Sequence, residues 1–316
     1  MMTFFEETRA ADIPLTEVID AIYGFFPDLE KTDIKFFYHG TYNVFEVKNQ
    51  FIFRIPDKAF RNHKGVKLIK NELKILHHIQ KYVSVAIPDP IYLSIDPDCP
   101  LMGYEKIEGI PLSKCYYRTS NNEKIKIAKE VSKFLSDLHS DELLKDAISK
   151  QIVEPTFSCE IYQKNWEKYL EKIKLTIFKS MNSNQKKWIT NLFNSFFNEK
   201  ENFNFKYTIV HGDFDTSNIL VNEKTFEITG IVDFEESRIY DPAVDFLFYE
   251  EGDIFLRELL SNYKGLLETN FEQRMKFLYG RSSLGYIEFG AENDLPNMIE
   301  AGFQKLNFAM SRFPLS

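Results

Sequence analysis

The chain has 316 residues, 44% of them hydrophobic and 15% aromatic, which is enough to bury a core across two packed lobes. Its net charge of -8 argues against nucleic acid, which wants a basic face, and is mildly favourable for a cationic partner. Cys99, Cys115 and Cys159 form an odd set without C-x-x-C spacing, indicating neither a disulfide framework nor a zinc site. The opening MMTFFEETRAAD is acidic where a secretory signal is basic and then apolar, and no run of 18 apolar residues follows, so the expectation is a soluble, cytoplasmic protein with no membrane partner.

The N-terminal third reads as a helix and then strands. Leu15, Val18, Ile19 and Ile22 recur at helical spacing before Gly24 and Pro27 stop the pattern. Three short strands follow over 34–38, 44–47 and 51–55, rich in aromatic and β-branched residues. Gly40 lies in the first turn, where a backbone could approach a phosphate, although taken alone it is better explained by an ordinary hairpin turn. From His63 to Gln80 the apolar period is helical, with Glu72 in the middle of the stripe. A carboxylate there either reaches water at the stripe's edge or needs a cation, and Arg54 at the end of the preceding strand is the nearest candidate.

Two further strands are expected over 91–95 and 101–107, and Gly109 and Pro111 then mark a boundary between lobes. Ser120 and Glu123 form a capping-box signature ahead of a helix carrying Ile125, Ala128, Val131, Phe134, Leu135 and Leu138. Residues 141–203 are helical and Lys-, Asn- and Phe-rich, with no chemistry apparent.

The stretch YTIVHGDFDTSNILVNEKTFEITGIVDF, residues 207–234, gathers oxygen ligands. An apolar run ends at His211-Gly212-Asp213, Asn218 follows five residues after Asp213, and Asp233 closes a later apolar run. If 222–225 is the turn between strands 219–221 and 226–232, Asp233 falls roughly opposite Phe214, beside Asp213 and Asn218. Three oxygen-bearing side chains converging in this way suit magnesium with a triphosphate. Turn capping by each residue alone is the competing reading. Asp241 with Pro242 reads as the start of a helix. Between 233 and 253 eight acids face one base, Arg238, an excess that would attract a polycation or simply form a solvated face. A last helical region, 279–293, carries Tyr286, Glu288 and Phe289.

His211-Gly212-Asp213 with Asn218 resembles the H-G-D-x-x-x-x-N catalytic loop of the aminoglycoside phosphotransferase family, a branch of the protein-kinase-like fold. Ile231 to Phe234 is similar to its metal-binding strand end, Asp241 to Asp245 to the segment that follows, 51–56 and 71–73 to the nucleotide-anchoring strand and helix, and 104–112 to the hinge. The hinge wording and the stretch 285–289 are most similar to the 2″-phosphotransferases. The resemblance implies a two-lobed α+β fold: a nucleotide-binding N-lobe over 1–104, with a small antiparallel sheet and one key helix, and a mainly helical C-lobe over 105–316. Within the latter it implies a helical insertion at about 141–203, a catalytic core over 207–247 and an acceptor-binding part over 248–316.

It further implies transfer of the γ-phosphate of GTP or ATP to a hydroxyl, the 2″-hydroxyl, of an aminoglycoside. In this scheme Asp213 accepts the proton of the acceptor hydroxyl, and Asn218 and Asp233 hold Mg2+. Arg54, paired by Glu72, contacts the triphosphate with the Gly40–Thr41 turn, and the backbone of Glu105 to Ile107 takes the purine. Tyr104 at the hinge entry narrows the space for adenine, which leans the donor toward GTP. Glu235, Glu236, Glu251, Asp253, Glu288 and Phe289 are candidates for the acceptor's ammonium groups and ring. Arg54 stands where many relatives carry lysine, a single glycine replaces the glycine-rich loop, and no glycine follows Phe234, so a mobile D-F-G switch is not expected. Rival readings are a kinase for choline, a sugar amine or a macrolide, and a nucleotide-binding regulator without catalysis.

Overall fold

The computed structural model describes residues 10–314. The chain has a two-lobed α+β fold, an antiparallel sheet with helices in one lobe and a mostly helical second lobe. By compactness it forms two units, one of residues 8–112 with 218–235, the other of 113–217 with 236–316.

In the first unit, α1 (Leu15–Tyr23) precedes β1 (Ile34–His39), β2 (Tyr42–Val47), β3 (Phe51–Pro56), α2 (His63–Ile79), β4 (Pro90–Ser94) and β5 (Leu101–Glu105). These strands form one antiparallel sheet in the order β1-β2-β3-β5-β4. Alternation sends Phe45, Val47, Phe53 and Ile55 into a core with Val18 and Ile22 of α1. Ile69 of α2 packs with Tyr42 and Met102 in a second cluster. Arg54 therefore sits on a central strand, between Val44 of β2 and Met102 of β5.

After β5 the chain passes Gly109, whose φ of +138° is open to glycine, and a Cβ there would meet the Thr229 hydroxyl at 2.5 Å. β6 (Ile110–Pro111) then pairs with a segment far along the chain. That segment belongs to a three-stranded sheet.

The second unit begins with α3 (Asn121–Leu138), whose Ser120 and Glu123 do form the capping box. It continues with α4 (Asp141–Ser149), α5 (Cys159–Thr176), α6 (Ser183–Asn198) and β7 (Thr208–Val210). The segment in question, β8 (Ile219–Val221) with β9 (Ile228–Ile231), returns to the first unit and gives the order β6-β8-β9. The second unit resumes with β10 (Arg238–Tyr240), paired to β7, then α7 (Asp253–Asn262), α8 (Phe271–Glu292) and α9 (Pro296–Arg312). Trp166 of α5 and Trp188 of α6 are both buried, the first edge-on to Phe277 and the second donating its indole N–H to Phe313 O at 3.0 Å.

Three local expectations change. The β8–β9 connection is longer than a four-residue turn: Asn222 N–H donates to Glu227 O, Phe226 takes a positive φ of 55°, and β9 starts only at Ile228. Ile219 pairs with Ile231, and Val232 N–H donates to Asn218 O, so the register sets Asn218 opposite Val232 rather than Phe214 opposite Asp233. After Asp241 the helix is a short 3-10 turn, Pro242–Phe246, capped by Asp241 as expected. The last glycine-bearing helix is longer than 279–293, because α8 begins at Phe271. All three cysteines are free thiols, and no helix among the described residues is long and apolar enough to cross a membrane.

Candidate active site

Glu72 is buried, 3% exposed, and Arg54 is 5% exposed. Their side chains are directly paired, so the carboxylate in the apolar stripe of α2 has its cation. The same guanidinium donates from Nη2 to Asp233 Oδ1 at 3.0 Å and to Glu235 Oε2 at 2.9 Å. The Tyr42 ring lies 4.1 Å from its Cζ, and Tyr42 Oη donates to Glu72 at 3.4 Å. One cation thus meets three carboxylates. Burial is the largest influence on Glu72 and pushes its carboxyl up, against the charge of Arg54. Glu235 is pushed up to about 8, by burial first and the Asp233 charge second, with a Thr41 hydrogen bond opposing.

Asp233 adopts φ +70°, in the left-handed region that non-glycine residues rarely occupy. Asn218 is 9% exposed and sits one register step away, opposite Val232. An amide oxygen and a carboxylate match the oxygen preference of Mg2+. Asp12, His39 and Asp57 form a different group, with potential ligand atoms within 4.8 Å of one another. His39 Nδ1 is 2.6 Å from Ala10 O and Nε2 is 2.9 Å from Asp57 Oδ2, so both ring nitrogens are already engaged. Asp12 is already engaged by Asn43, Lys58 N–H and Arg61, and a nitrogen donor is foreign to magnesium.

Tyr104 is 6% exposed on β5, opposite Ile52 and Pro90, and burial pushes its phenol up. Glu105 ends β5 and is exposed, while Ile107 is half-buried against Gly230. Gly40 and Thr41 form the half-buried β1–β2 turn, where Gly40 N–H donates to Tyr42 O at 3.0 Å.

In the second unit the loop after β7 is fixed through its backbone. Asp245 Oδ2 accepts from His211 N–H at 2.7 Å and Oδ1 from Gly212 N–H at 2.9 Å. Asp245 is fully buried and is held in turn by His139 Nε2 at 3.0 Å. Gly212 has φ +91°, and a Cβ there would meet Glu236 O at 2.5 Å. Asp213 follows directly and is exposed. A rigid support thus ends in an accessible carboxylate.

The candidate acceptor acids are dispersed. Glu235 lies in the Arg54 cluster, Glu236 pairs with Arg238 at 2.7 Å, and Asp253 pairs with Arg312. Glu288 pairs with Lys172 at 2.6 Å, and its neighbour Phe289 is 41% exposed. Glu251 is 6% exposed, and burial, with the charge of Glu250 next, pushes it up to about 8. From the sequence Asp245 is expected only as one of the acids of 233–253 and the end of the segment 241–245, and His139 carries no expectation. An acid inside the apolar run of 243–248 carries the same signal as Glu72, and it was there to be read.

Residues 33–259 match the model of a family described as the phosphotransferase enzyme family. Among solved structures, the chain is similar to a GDP complex of aminoglycoside 2'-phosphotransferase-IIIa, with TM-score 0.80 and 19% identity over 95% of this chain and 99% of that one. It is also similar to a streptomycin-ATP-APH(2")-IIa ternary complex, with TM-score 0.64 and 19% identity over 96% and 98%. A third is the macrolide 2'-phosphotransferase MphH from Brachybacterium faecium, with TM-score 0.67 and 16% identity over 92% and 98%. At these identities the likeness is one of fold.

Proposed function

Because this chain belongs to the phosphotransferase enzyme family, we propose that it is a small-molecule kinase that transfers the γ-phosphoryl group of GTP or ATP to a hydroxyl of an aminoglycoside, the 2″-hydroxyl. The observation that carries the kinase reading is Arg54, buried on a central strand, paired with Glu72 and bonded to Asp233. A guanidinium held in this way is a preorganised phosphate contact, and positioning with charge neutralisation accounts for most of phosphoryl-transfer catalysis.

In this mechanism Asp213 orients the acceptor hydroxyl and takes its proton. Its loop does not need to reorganise, because Asp245 already holds the two preceding backbone N–H groups. Arg54 contacts the triphosphate, with Glu72 fixing the guanidinium plane. Asn218 and Asp233 hold Mg2+, which supplies neutralisation of phosphate charge when bound. The Gly40–Thr41 turn covers the phosphates, the backbone from Glu105 to Ile107 takes the purine edge, and Tyr104 tilts the choice toward GTP.

For the acceptor, the net charge of -8 supports a polycation. Glu236, Asp253 and Glu288 are the residues to which its ammonium groups can bind: the first two hold a surface cation in a pair worth only about 0–1 kcal/mol, and the partner of Glu288, Lys172, is itself exposed. An incoming ammonium can displace such a partner. Phe289 offers a ring face beside Glu288. The test is incubation of purified protein with magnesium, GTP or ATP, and a panel of aminoglycosides, macrolides and choline, read by product mass. A gain of one phosphoryl group on an aminoglycoside is expected. Phosphorylation of a macrolide or choline alone would overturn the acceptor, and no product with any acceptor would overturn the kinase reading.

A further inference from the structure

Lys305 of α9 is not a loose surface charge. Its ammonium lies 2.6 Å from Glu250 Oε1, and the two side chains are only 14% and 10% exposed. The Tyr279 ring centre is 4.5 Å from the same nitrogen and that of Tyr286 5.9 Å. Tyr279 Oη also donates to Glu250 Oε1 at 2.7 Å, so one wall of this cage fixes the carboxylate of another. A carboxylate with aromatic faces beside it is the chemistry that recognises an ammonium ion. Here the protein fills it with a side chain of its own, between the loop ahead of α7 and the side of α8.

The filled cage adjoins the loop that carries Asp213. Glu251, the next residue, accepts from the Thr216 hydroxyl at 3.4 Å, and its backbone carbonyl accepts from Tyr116 Oη at 2.7 Å. The charges of Glu250 and Asp215 both act on Glu251, and that of Lys305 opposes them. The cations paired with Glu236 and Asp253 are about 40% exposed and can be exchanged for an incoming ammonium. Lys305 cannot leave as readily, because its departure strips a shielded carboxylate of its only cation among the described residues.

We propose that Glu250, Tyr279 and Tyr286 form an ammonium subsite of the acceptor region that Lys305 fills from within, and that Lys305 thereby determines which amine-bearing acceptors bind. The subsite stands on these four side chains. Its bearing on acceptors rests on the small-molecule kinase reading.

Two variants separate charge from space. Lys305→Ala removes the ammonium and opens the room of its stem, which n-propylammonium matches, whereas Lys305→Met removes the same charge and keeps the room filled. The melting temperature of the full chain, with n-propylammonium chloride against equal sodium chloride, reads the subsite. A saturable rise of several degrees by about 50 mM is expected in Lys305→Ala, and none in wild type, in Lys305→Met or when Glu250→Gln is added to Lys305→Ala. If Lys305→Ala does not fold alone, its refolding yield with and without the amine replaces the melting temperature as readout. Equal responses in Lys305→Ala and Lys305→Met would overturn the subsite. The second arm is calorimetric titration of kanamycin A into each protein, with magnesium and a non-hydrolysable GTP analogue present. Affinity should rise about tenfold in Lys305→Ala and stay within about threefold of wild type in Lys305→Met. An equal gain in both variants would show that net charge alone matters, and no gain in either would show that Lys305 only holds the fold; each overturns the role in acceptor choice. Neither arm requires turnover, so a lack of phosphorylated product would strike the kinase reading and leave both results interpretable.

Discussion

Asp245 holds His211 by its backbone: the carboxylate oxygen accepts the His211 N–H at 2.7 Å, across 34 residues of sequence. Its other oxygen holds Gly212 at 2.9 Å. Asp245→Asn keeps the shape but places an NH2 against a donor. Turnover should fall about 10- to 100-fold, the equivalent of one or two buried hydrogen bonds, while nucleotide affinity stays within about twofold. Steady-state kinetics with a separate nucleotide titration checks this, and an equal loss in both would mean the chain had simply become unstable.

Asp213→Ala removes the proposed base from an accessible position and should leave folding intact. Turnover should drop by roughly two to four orders of magnitude, the range for a positioned proton acceptor. A variant within about threefold of wild type would remove Asp213 from the mechanism.

Glu72→Ala uncovers one side of a buried guanidinium. Breaking a buried pair costs about 3–5 kcal/mol, and Asp233 and Glu235 remain beside Arg54, so roughly 1–3 kcal/mol is expected here. Urea denaturation measures that cost. The nucleotide KM should rise at least about tenfold as the guanidinium swings toward the remaining carboxylates, and Glu72→Gln should fall between the two.

Glu251 gives a pH signature with a defined sign. Its folded pKa, about 8, lies above the ordinary carboxyl value of 4.5, so the folded state holds a proton that the unfolded state has released. Stability is then full below about pH 4.5, declines as pH rises toward 8, and is level above it. Glu251→Gln should flatten that decline and gain roughly 2–4 kcal/mol over wild type at pH 9, read from denaturation midpoints across pH. Parallel curves for the two proteins would show that the carboxyl ionises freely in the fold.

Tyr104→Ala opens space beside Ile52 on the neighbouring strand. The ratio of turnover with ATP to that with GTP should rise several-fold. An unchanged ratio would mean that Tyr104 has no part in choosing the purine.

Much of the fold was legible because its periodicities are clean. The aromatic and β-branched runs in 44–55 become strands buried on both faces, and the 3.6-residue stripe of α2 matches one buried face. Arg54 and Glu72 were legible for a related reason: a charge on an apolar stripe must find its opposite. The register of Asp233 was misread because Phe226 turns at positive φ, which lengthens the loop, and nothing in a Thr-Phe-Glu run announces that conformation. The acidic run after Asp233 was legible only as charge. Which of those acids already hold a cation depends on Arg312 and Lys305, which lie far from them in sequence.

Both tryptophans of the chain, Trp166 and Trp188, stand on α5 and α6, and the unit of residues 8–112 with 218–235 has none. Indole fluorescence excited at its red edge therefore reports the helical unit alone, while the tyrosines of the sheet unit stay dark. A single denaturation series, followed once by that emission and once by far-ultraviolet circular dichroism, separates the melting of one unit from that of the other without any label.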